Sequence, residues 1–407
     1  MTNDGDDQPG GSALEVLRIF TRLGFTSFGG PVAHLGYFRD EFVERRKWID
    51  EQTYADIVAL CQFLPGPASS QVGIAIGLTR AGIRGAFGAW LGFTLPSAIA
   101  LILFAFGVAQ WGDIADQGWL DGLKIVAVAV VAYALWGMAT NLCPDRERAT
   151  IAVLGAIAVL AWPFVGMQVG VIAAAGVIGW LFLPRGEVGS IIPLNVPISR
   201  NLAIACFVMF VGLLGGLPLA RALSEIYTLD LIDSFYRTGS LVFGGGHVVL
   251  PLIQSEVVPT GWVSQDDFVA GYGAAQAVPG PLFTFSAFLG AISTESPAGW
   301  IGGGIALVAI FIPSFLLVFS VLPFWDLVRT RLGFQSALRG INAGVVGLLL
   351  AALYDPVFTS AITRPMEFAL ALVSFALLAF WKLPPWLVVV LTAAGGALIN
   401  QIPALSP

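Results

Sequence analysis

Charge is scarce in this sequence. Only 11% of its 407 residues are Asp, Glu, Lys or Arg, whereas 57% are hydrophobic and the mean hydropathy is +0.83. An ordinary soluble domain carries about a quarter charged residues. A chain this poor in charge cannot cover a water-exposed surface, so the bilayer is its expected partner and solvent. The net charge of −6 gives no basic footprint, and no nucleic acid is implied as a partner. Histidine occurs twice, at His34 and His247, and cysteine three times, at Cys61, Cys143 and Cys206, with no C-x-x-C spacing. That scarcity argues against a disulfide framework, a thiolate metal site, a haem or a di-iron centre, so no cofactor is expected. A membrane-embedded enzyme would need such ligands or an acid/base cluster, so the chain does not read as an enzyme. A Walker A pattern is also missing, which argues against ATP-driven chemistry. The opening MTNDGDDQPGG has no basic region ahead of an apolar one; residues 1–12 read as a disordered acidic tail, not a signal peptide.

Long apolar runs are abundant. Gly85–Ala109, Gly118–Asn141, Met167–Leu183, Asn201–Leu217, Gly299–Pro323 and Ser336–Leu353 approach the roughly 20 residues that cross a 30 Å hydrocarbon layer as a helix. Ala149–Trp162, Met366–Trp381 and Trp386–Asn400 are shorter and are expected to cross too. Two places interrupt this pattern. FTSFGGPVAH from Phe25 sets Gly29, Gly30 and Pro31 in a row, and LPGPASS from Leu64 sets Pro65, Gly66 and Pro67 together. Both interruptions recur, as LVFGGGHVVL from Leu241 and VPGPLFT from Val278.

The recurrence extends well beyond glycine and proline. Shifted by 215, Phe20, Arg22, Gly24, Phe28, Gly29, Gly30, Leu35, Glu41 and Val43 meet identical residues, from Phe235 and Arg237 to Glu256 and Val258. Shifted by 214, Trp48, Gln62, Pro65, Gly66 and Pro67 meet Trp262, Gln276, Pro279, Gly280 and Pro281, and slightly larger shifts match Gly85, Pro96, Ser97 and Gly122 with Gly302, Pro313, Ser314 and Gly340. The chain therefore reads as two copies of one unit. Boundaries follow at residues 13–185 for the first copy, 186–218 for a linker with an extra crossing helix, and 219–407 for the second.

Basic residues swap sides between the copies. YFRDEFVERRKW holds Arg39, Arg45, Arg46 and Lys47, whereas its counterpart LIQSEVVPTGW holds none; Arg80 and Arg84 stand against a stretch without basic residues. Short cytoplasmic loops are enriched in Lys and Arg. The two copies are thus expected to be inverted, with a cytoplasmic N-terminus and an external C-terminus. Keeping Arg45 and Arg80 on one side requires Thr53–Leu64 and Ala68–Thr79 to enter and return as a hairpin tipped by PGP. By the same logic, Leu14–Phe28 and Val32–Val43 form a hairpin tipped by FGGP. A full crossing by Leu14–Phe28 in place of Asn201–Leu217 is the rival topology. The fold class is an all-α polytopic membrane protein of two inverted repeats, each with four crossing helices plus broken or re-entrant helices.

Inverted repeats with interrupted helices are a signature of secondary transporters. A helix begun after a break leaves about four N–H groups unpaired and about half a positive charge, which suits an anion. Helices are expected to start near Val32 and at Ala68. The candidate binding set is Ser27, Gly29, Gly30, Pro65, Gly66, Ser69, Ser70 and Gln71 in the first copy, with Gly244, Gly245, Gln276, Gly280 and Thr284 in the second. Arg22 and Arg237, one to two turns before the FGG breaks, could neutralise a dianion. Their matched carboxylates, Glu41 and Glu256, are candidates for carrying protons or pairing those arginines, with Glu41 read mainly as a solvated loop residue. His34, placed one turn after FGGP, and Lys124, read mainly as snorkelling, complete the candidate coupling groups. Trp48 and Trp262 read as interfacial anchors.

The first copy, FTRLGFTSFGGPVAHLGYFRDEFVERRKWIDEQTYADIVALCQFLPGPASSQVGIAIGLTRAGIRGA, repeated in weaker form from Ser234, resembles the chromate ion transporter family in its long, two-domain form. The resemblance runs from about Leu14 to Ile402. It implies a multi-pass inner-membrane protein that exports chromate, with sulfate as the related tetrahedral oxyanion, and so confers chromate resistance. The family's motif falls on Phe28, Gly29, Gly30, Pro31, Pro65, Gly66 and Pro67; the second copy departs from it with Gly246 in place of Pro31. A coupling proton or counter-anion is expected, and a homodimer is left open. The alternatives are an uptake carrier for sulfate or another inorganic anion, or a passive anion channel built from the same helix ends.

Overall fold

The computed structural model describes residues 11–110, 118–162, 165–184, 198–243, 249–325 and 332–401. Among them are sixteen α-helices of eight or more residues and no strand. Helix α1 (Ala13–Thr26) opens at Ser12, whose hydroxyl accepts the Glu15 amide, and it buries an apolar stripe of Val16, Ile19, Phe20 and Leu23. Gly11 and Ser12 therefore belong to the folded unit and not to the expected tail; Gly11 donates its amide to the Arg80 carbonyl. Helix α2 (Gly30–Arg39) brings the Phe38 ring to 5.5 Å from Phe20 of α1 and ends in a π-helical turn, Asp40–Arg45. Pro31 sits in its first turn, where a missing N–H costs nothing. The helix thus begins at Gly30, two residues before the expected Val32.

Helices α3 (Glu51–Phe63) and α4 (Ala68–Gln110) form the second hairpin. Asp50 caps α3 through the Thr53 amide, as the matched Ser264 caps α11 through the Asp267 amide. Within α4, Ala81 and Gly82 leave helical geometry. That turn separates a short returning arm from the long crossing helix that the sequence places after Gly85. Helices α5 (Trp119–Leu142), α6 (Arg146–Ala161) and α7 (Val165–Phe182) follow. Helix α8 (Arg200–Ala222) is the linker crossing.

The same order then repeats. Helices α9 (Tyr227–Leu241) and α10 (Val249–Val257) make a hairpin, and α11 (Gln265–Ala275) and α12 (Phe285–Ile292) make the next. Helices α13 (Gly299–Val321), α14 (Leu332–Ala352), α15 (Pro365–Ala379) and α16 (Pro385–Gln401) close the chain. The hairpin arms are short: α3, with thirteen residues, is about 20 Å long at 1.5 Å per residue, too little for a 30 Å core. Five helical stretches, Ala68–Gln110, Trp119–Leu142, Arg200–Ala222, Gly299–Phe324 and Gln335–Ala361, are long and apolar enough to cross a membrane. The chain is an all-helical polytopic membrane protein.

The copies exchange partners in packing. Helix α5 of the first copy lies on α15 and α16 of the second, while α14 of the second lies on α6 and α7 of the first. Glycine permits both approaches. A Cβ on Gly396 would stand 2.7 Å from the Gly122 Cα, and one on Gly340 would stand 2.8 Å from the Gly179 Cα. Helices α4 and α13 sit between the two cores and contribute to both, with Phe93 and Ala98 from one and Phe311 and Phe315 from the other. Outer faces are apolar, including Trp136, Leu154, Ile157, Phe207 and Val208. Such a surface suits lipid and would be costly in water.

Candidate functional site

The backbone at the breaks explains their composition. Gly29 and Gly30 adopt φ of 103° and 78°, and Gly66 and Gly280, at the two PGP tips, adopt 118° and 89°. Side-chain-bearing residues rarely enter that region. Each tip is left with carbonyls and amides that no helix satisfies, and the copies satisfy them for each other. The Gly66 amide donates to the Val242 carbonyl at 2.6 Å, and the Gly280 amide donates to the Ser27 carbonyl at 2.9 Å. Val242 is the counterpart of Ser27 under the 215-residue shift, so the two bonds are the same bond made twice. The PGP tip of each copy is stitched to the FGG break of the other.

Matched serines flank the stitches. The Ser97 hydroxyl donates to the Pro279 carbonyl, and its counterpart Ser314 lies against Gly66, where an added Cβ would come within 2.8 Å of its Oγ. Both serines follow helix-interior prolines, Pro96 and Pro313. A proline there removes a helical hydrogen bond and loosens the helix where it meets the tips.

The polar side chains around the crossing belong mostly to the first copy. His34 is buried, its Nδ1 lies 3.3 Å from Ser69 Oγ, and its ring meets Phe93 edge-on at 5.1 Å. Ser27 Oγ, His34 Nε2, Ser70 Oγ, Gln71 Oε1, Thr94 Oγ1 and Ser314 Oγ are buried and lack a hydrogen-bond partner. Gln71 instead spends its Nε2 on the Pro65 carbonyl at 2.7 Å. In the second copy, Thr284 donates to the Pro281 carbonyl and Gln276 Nε2 is unpartnered. Gly244, Gly245 and His247 lie outside the described residues.

The arginines sit elsewhere. Arg22 reaches Glu41 at 2.6 Å, and Glu41 also takes Arg45 at 3.0 Å and Arg46 at 2.6 Å. Glu41 lies eleven residues beyond Gly30, so the Arg22 guanidinium points to the open end of the hairpin and away from its tip. Glu41 is buried, which corrects its reading as a solvated loop residue: three guanidiniums replace the lost water. Arg237 repeats the contact with Glu256 at 2.9 Å and adds Asp233 at 2.6 Å, while Arg221 reaches both carboxylates at 3.5 and 3.3 Å. The first mouth is net positive, whereas the second, where Asp230 also reaches Arg221 at 3.4 Å, is net negative. Lys124 does not snorkel freely; it pairs with Asp266 at 3.1 Å and Asp121 at 3.4 Å. Trp48 lies beneath the Arg80 guanidinium at 4.8 Å and Trp262 beneath Arg221 at 5.9 Å, so both stack on cations beside the mouths.

The sequence profile described as "Chromate transporter" matches this chain twice, over residues 14–180 and 229–397. The chain belongs to the chromate transporter family. The chromate transport protein of Pseudomonas aeruginosa is 27% identical over 94% of this chain and 90% of its own length. That of Cupriavidus metallidurans is 26% identical over 95% and 92%, and the probable chromate transport protein of Synechococcus elongatus is 24% identical over 96% of each. No solved structure matches the chain. As a member of the chromate transporter family, the chain places its two motif blocks at the crossing just described. Sequence reasoning missed Thr94, Asp233 and Arg221. Thr94 is a lone hydroxyl in an apolar run with no local signal; Asp233 could have been found as a carboxylate four residues before Arg237 on one helix face.

Proposed function

We propose that this protein is a secondary transporter that carries chromate, and related tetrahedral oxyanions such as sulfate, out of the cytoplasm across the inner membrane. The reciprocal pair of bonds, Gly66 to Val242 and Gly280 to Ser27, carries the reading. Four broken helices meeting across a two-copy exchange give a central place that is polar, buried and built from backbone at membrane depth, where irregular backbone is tolerated only inside protein or along a watery path. Hydroxyls, an imidazole and helix starts offer donors and no fixed carboxylate, which suits an oxyanion better than a metal cation.

The two copies, residues 13–185 and 219–407, are proposed to be inverted about the linker helix, with the Arg45 and Arg46 mouth on the cytoplasmic side. A net positive mouth there gathers a dianion, and Arg22, with 46% of its side chain exposed, keeps a free edge for it. A negative-inside membrane favours outward movement by about 2.3 kcal/mol per charge per 100 mV. A coupling proton or counter-anion completes the cycle. Calorimetry on the purified protein tests the cargo: chromate, sulfate and molybdate should bind and compete for one site, and absence of binding by every tetrahedral oxyanion would sink the proposal.

A further inference from the structure

The two crossings are matched in backbone but not in side chains. At the first-copy side, Ser27, His34, Ser70 and Thr94 each bury a polar atom without a partner. Ser27 and His34 meet Val242 and Val249 at a shift of 215, Ser70 meets Thr284 at 214, and Thr94 meets Phe311 at 217, the shift that matches Ser97 with Ser314. Two of these positions become aliphatic and one aromatic, and Thr284 alone stays polar, with its hydroxyl already donated to Pro281. The matched serines differ in the same sense. Ser97 closes on the Pro279 carbonyl at the second-copy tip, whereas Ser314 faces the first-copy tip at Gly66 with its oxygen unpartnered. The Pro65 carbonyl, which Ser314 would otherwise take, is held by Gln71.

Leaving a buried hydroxyl or imidazole nitrogen unpaired is costly, and more so at membrane depth where no bulk water stands by. Among the described residues, the four first-copy positions bear that cost and their second-copy counterparts do not. If Ser69 donates its hydroxyl to His34 Nδ1, the imidazole presents Nε2–H as a donor, matching the hydroxyls of Ser27, Ser70, Thr94 and Ser314. These groups sit on the FGGP turn and the second part of α4, which meet the Gly280 tip, on the start of α2, and on the first part of α4 and the middle of α13, which flank the Gly66 tip.

We infer that the oxyanion is held on the first-copy side of the crossings, by donors from His34, Ser27, Ser70 and Thr94 together with Ser314, while the matched second-copy positions form a closed apolar joint. The inference rests on the oxyanion reading above and names its binding residues. The apolar joint, with the Phe283 and Phe311 rings 6.0 Å apart, has little to offer an anion.

The test is chromate affinity by calorimetry for Thr94→Val, Ser314→Ala and Thr284→Val, each first checked for a monodisperse profile and an unchanged melting point without anion. Thr94→Val and Ser314→Ala should each weaken binding about tenfold or more, the scale of a hydrogen bond to a charged group. Thr94→Ser, which restores the hydroxyl, should bind like the parent, and so should Thr284→Val. Parental affinity in Thr94→Val, or an equal loss in Thr284→Val, would overturn the one-sided site. A parent protein that binds no oxyanion overturns the cargo reading and this inference with it.

Discussion

Gly66 and Val242 lie 176 positions apart in sequence, yet the amide of one meets the carbonyl of the other at 2.6 Å, and Gly280 meets Ser27 in the same way. Neither bond could be made by a single copy folded alone. Both tips demand glycine, and the surroundings differ. A methyl on Gly66 would press on side-chain atoms, Gln71 Nε2 at 2.7 Å and Ser314 Oγ at 2.8 Å, which can yield. A methyl on Gly280 would meet the Phe93 carbonyl at 2.9 Å besides Ser97 Oγ, and backbone yields less. Gly66→Ala and Gly280→Ala should both lose transport, with Gly280→Ala showing the larger drop in melting temperature of the purified protein.

The ion clusters at the mouths predict a second asymmetry. Removing Arg22 leaves Glu41 with Arg45 and Arg46, so Arg22→Ala should cost little, within about 1 kcal/mol. Removing Arg237 leaves Asp233 and Glu256, both buried, sharing Arg221 alone, and breaking such a buried pair costs about 3–5 kcal/mol. Thermal melting of the two variants checks the order.

Inversion of the copies is checked from the water side. In a background lacking Cys61, Cys143 and Cys206, Glu44→Cys and Thr260→Cys place single thiols at exposed matched mouths. A membrane-impermeant reagent should label Thr260→Cys in right-side-out vesicles and Glu44→Cys only in everted ones. Labelling of both from one side would remove the inversion.

The caps of α3 and α11 respond differently to acid. The Thr53 amide and hydroxyl hold the Asp50 carboxyl below the usual carboxylate range, and its counterpart Ser264 does not titrate. A depressed carboxyl contributes its stability above its unfolded pKa of about 3.9 and loses it as pH falls through the lower folded value. Asp50→Ala should cost about 0.5–2 kcal/mol near neutrality, and the difference from the parent should shrink below about pH 4. Ser264→Ala should show a cost that does not vary with pH in that range.

Helix positions, the long apolar helix Arg200–Ala222 and the matched breaks were legible because apolar length and the Gly/Pro punctuation are local signals. Pairing between copies was not, since nothing in PGP or FGG names its partner 176 positions away. The arginines show the same limit. Arg22 and Arg237 stood out by their repeat symmetry, but side-chain direction decides their role, and both turn from the tips toward Glu41 and Glu256. Thr94 carried no local mark, and it gains meaning only against Phe311, its apolar twin.

The central claim is carrier-type movement of an oxyanion through the crossing, and uptake of radiolabelled chromate by everted vesicles measures it most directly. The account predicts saturable uptake that unlabelled chromate or sulfate competes away, that collapse of both pH gradient and potential abolishes, and that Gly66→Ala removes. Uptake that rises linearly with chromate and ignores both the gradients and Gly66→Ala would contradict it.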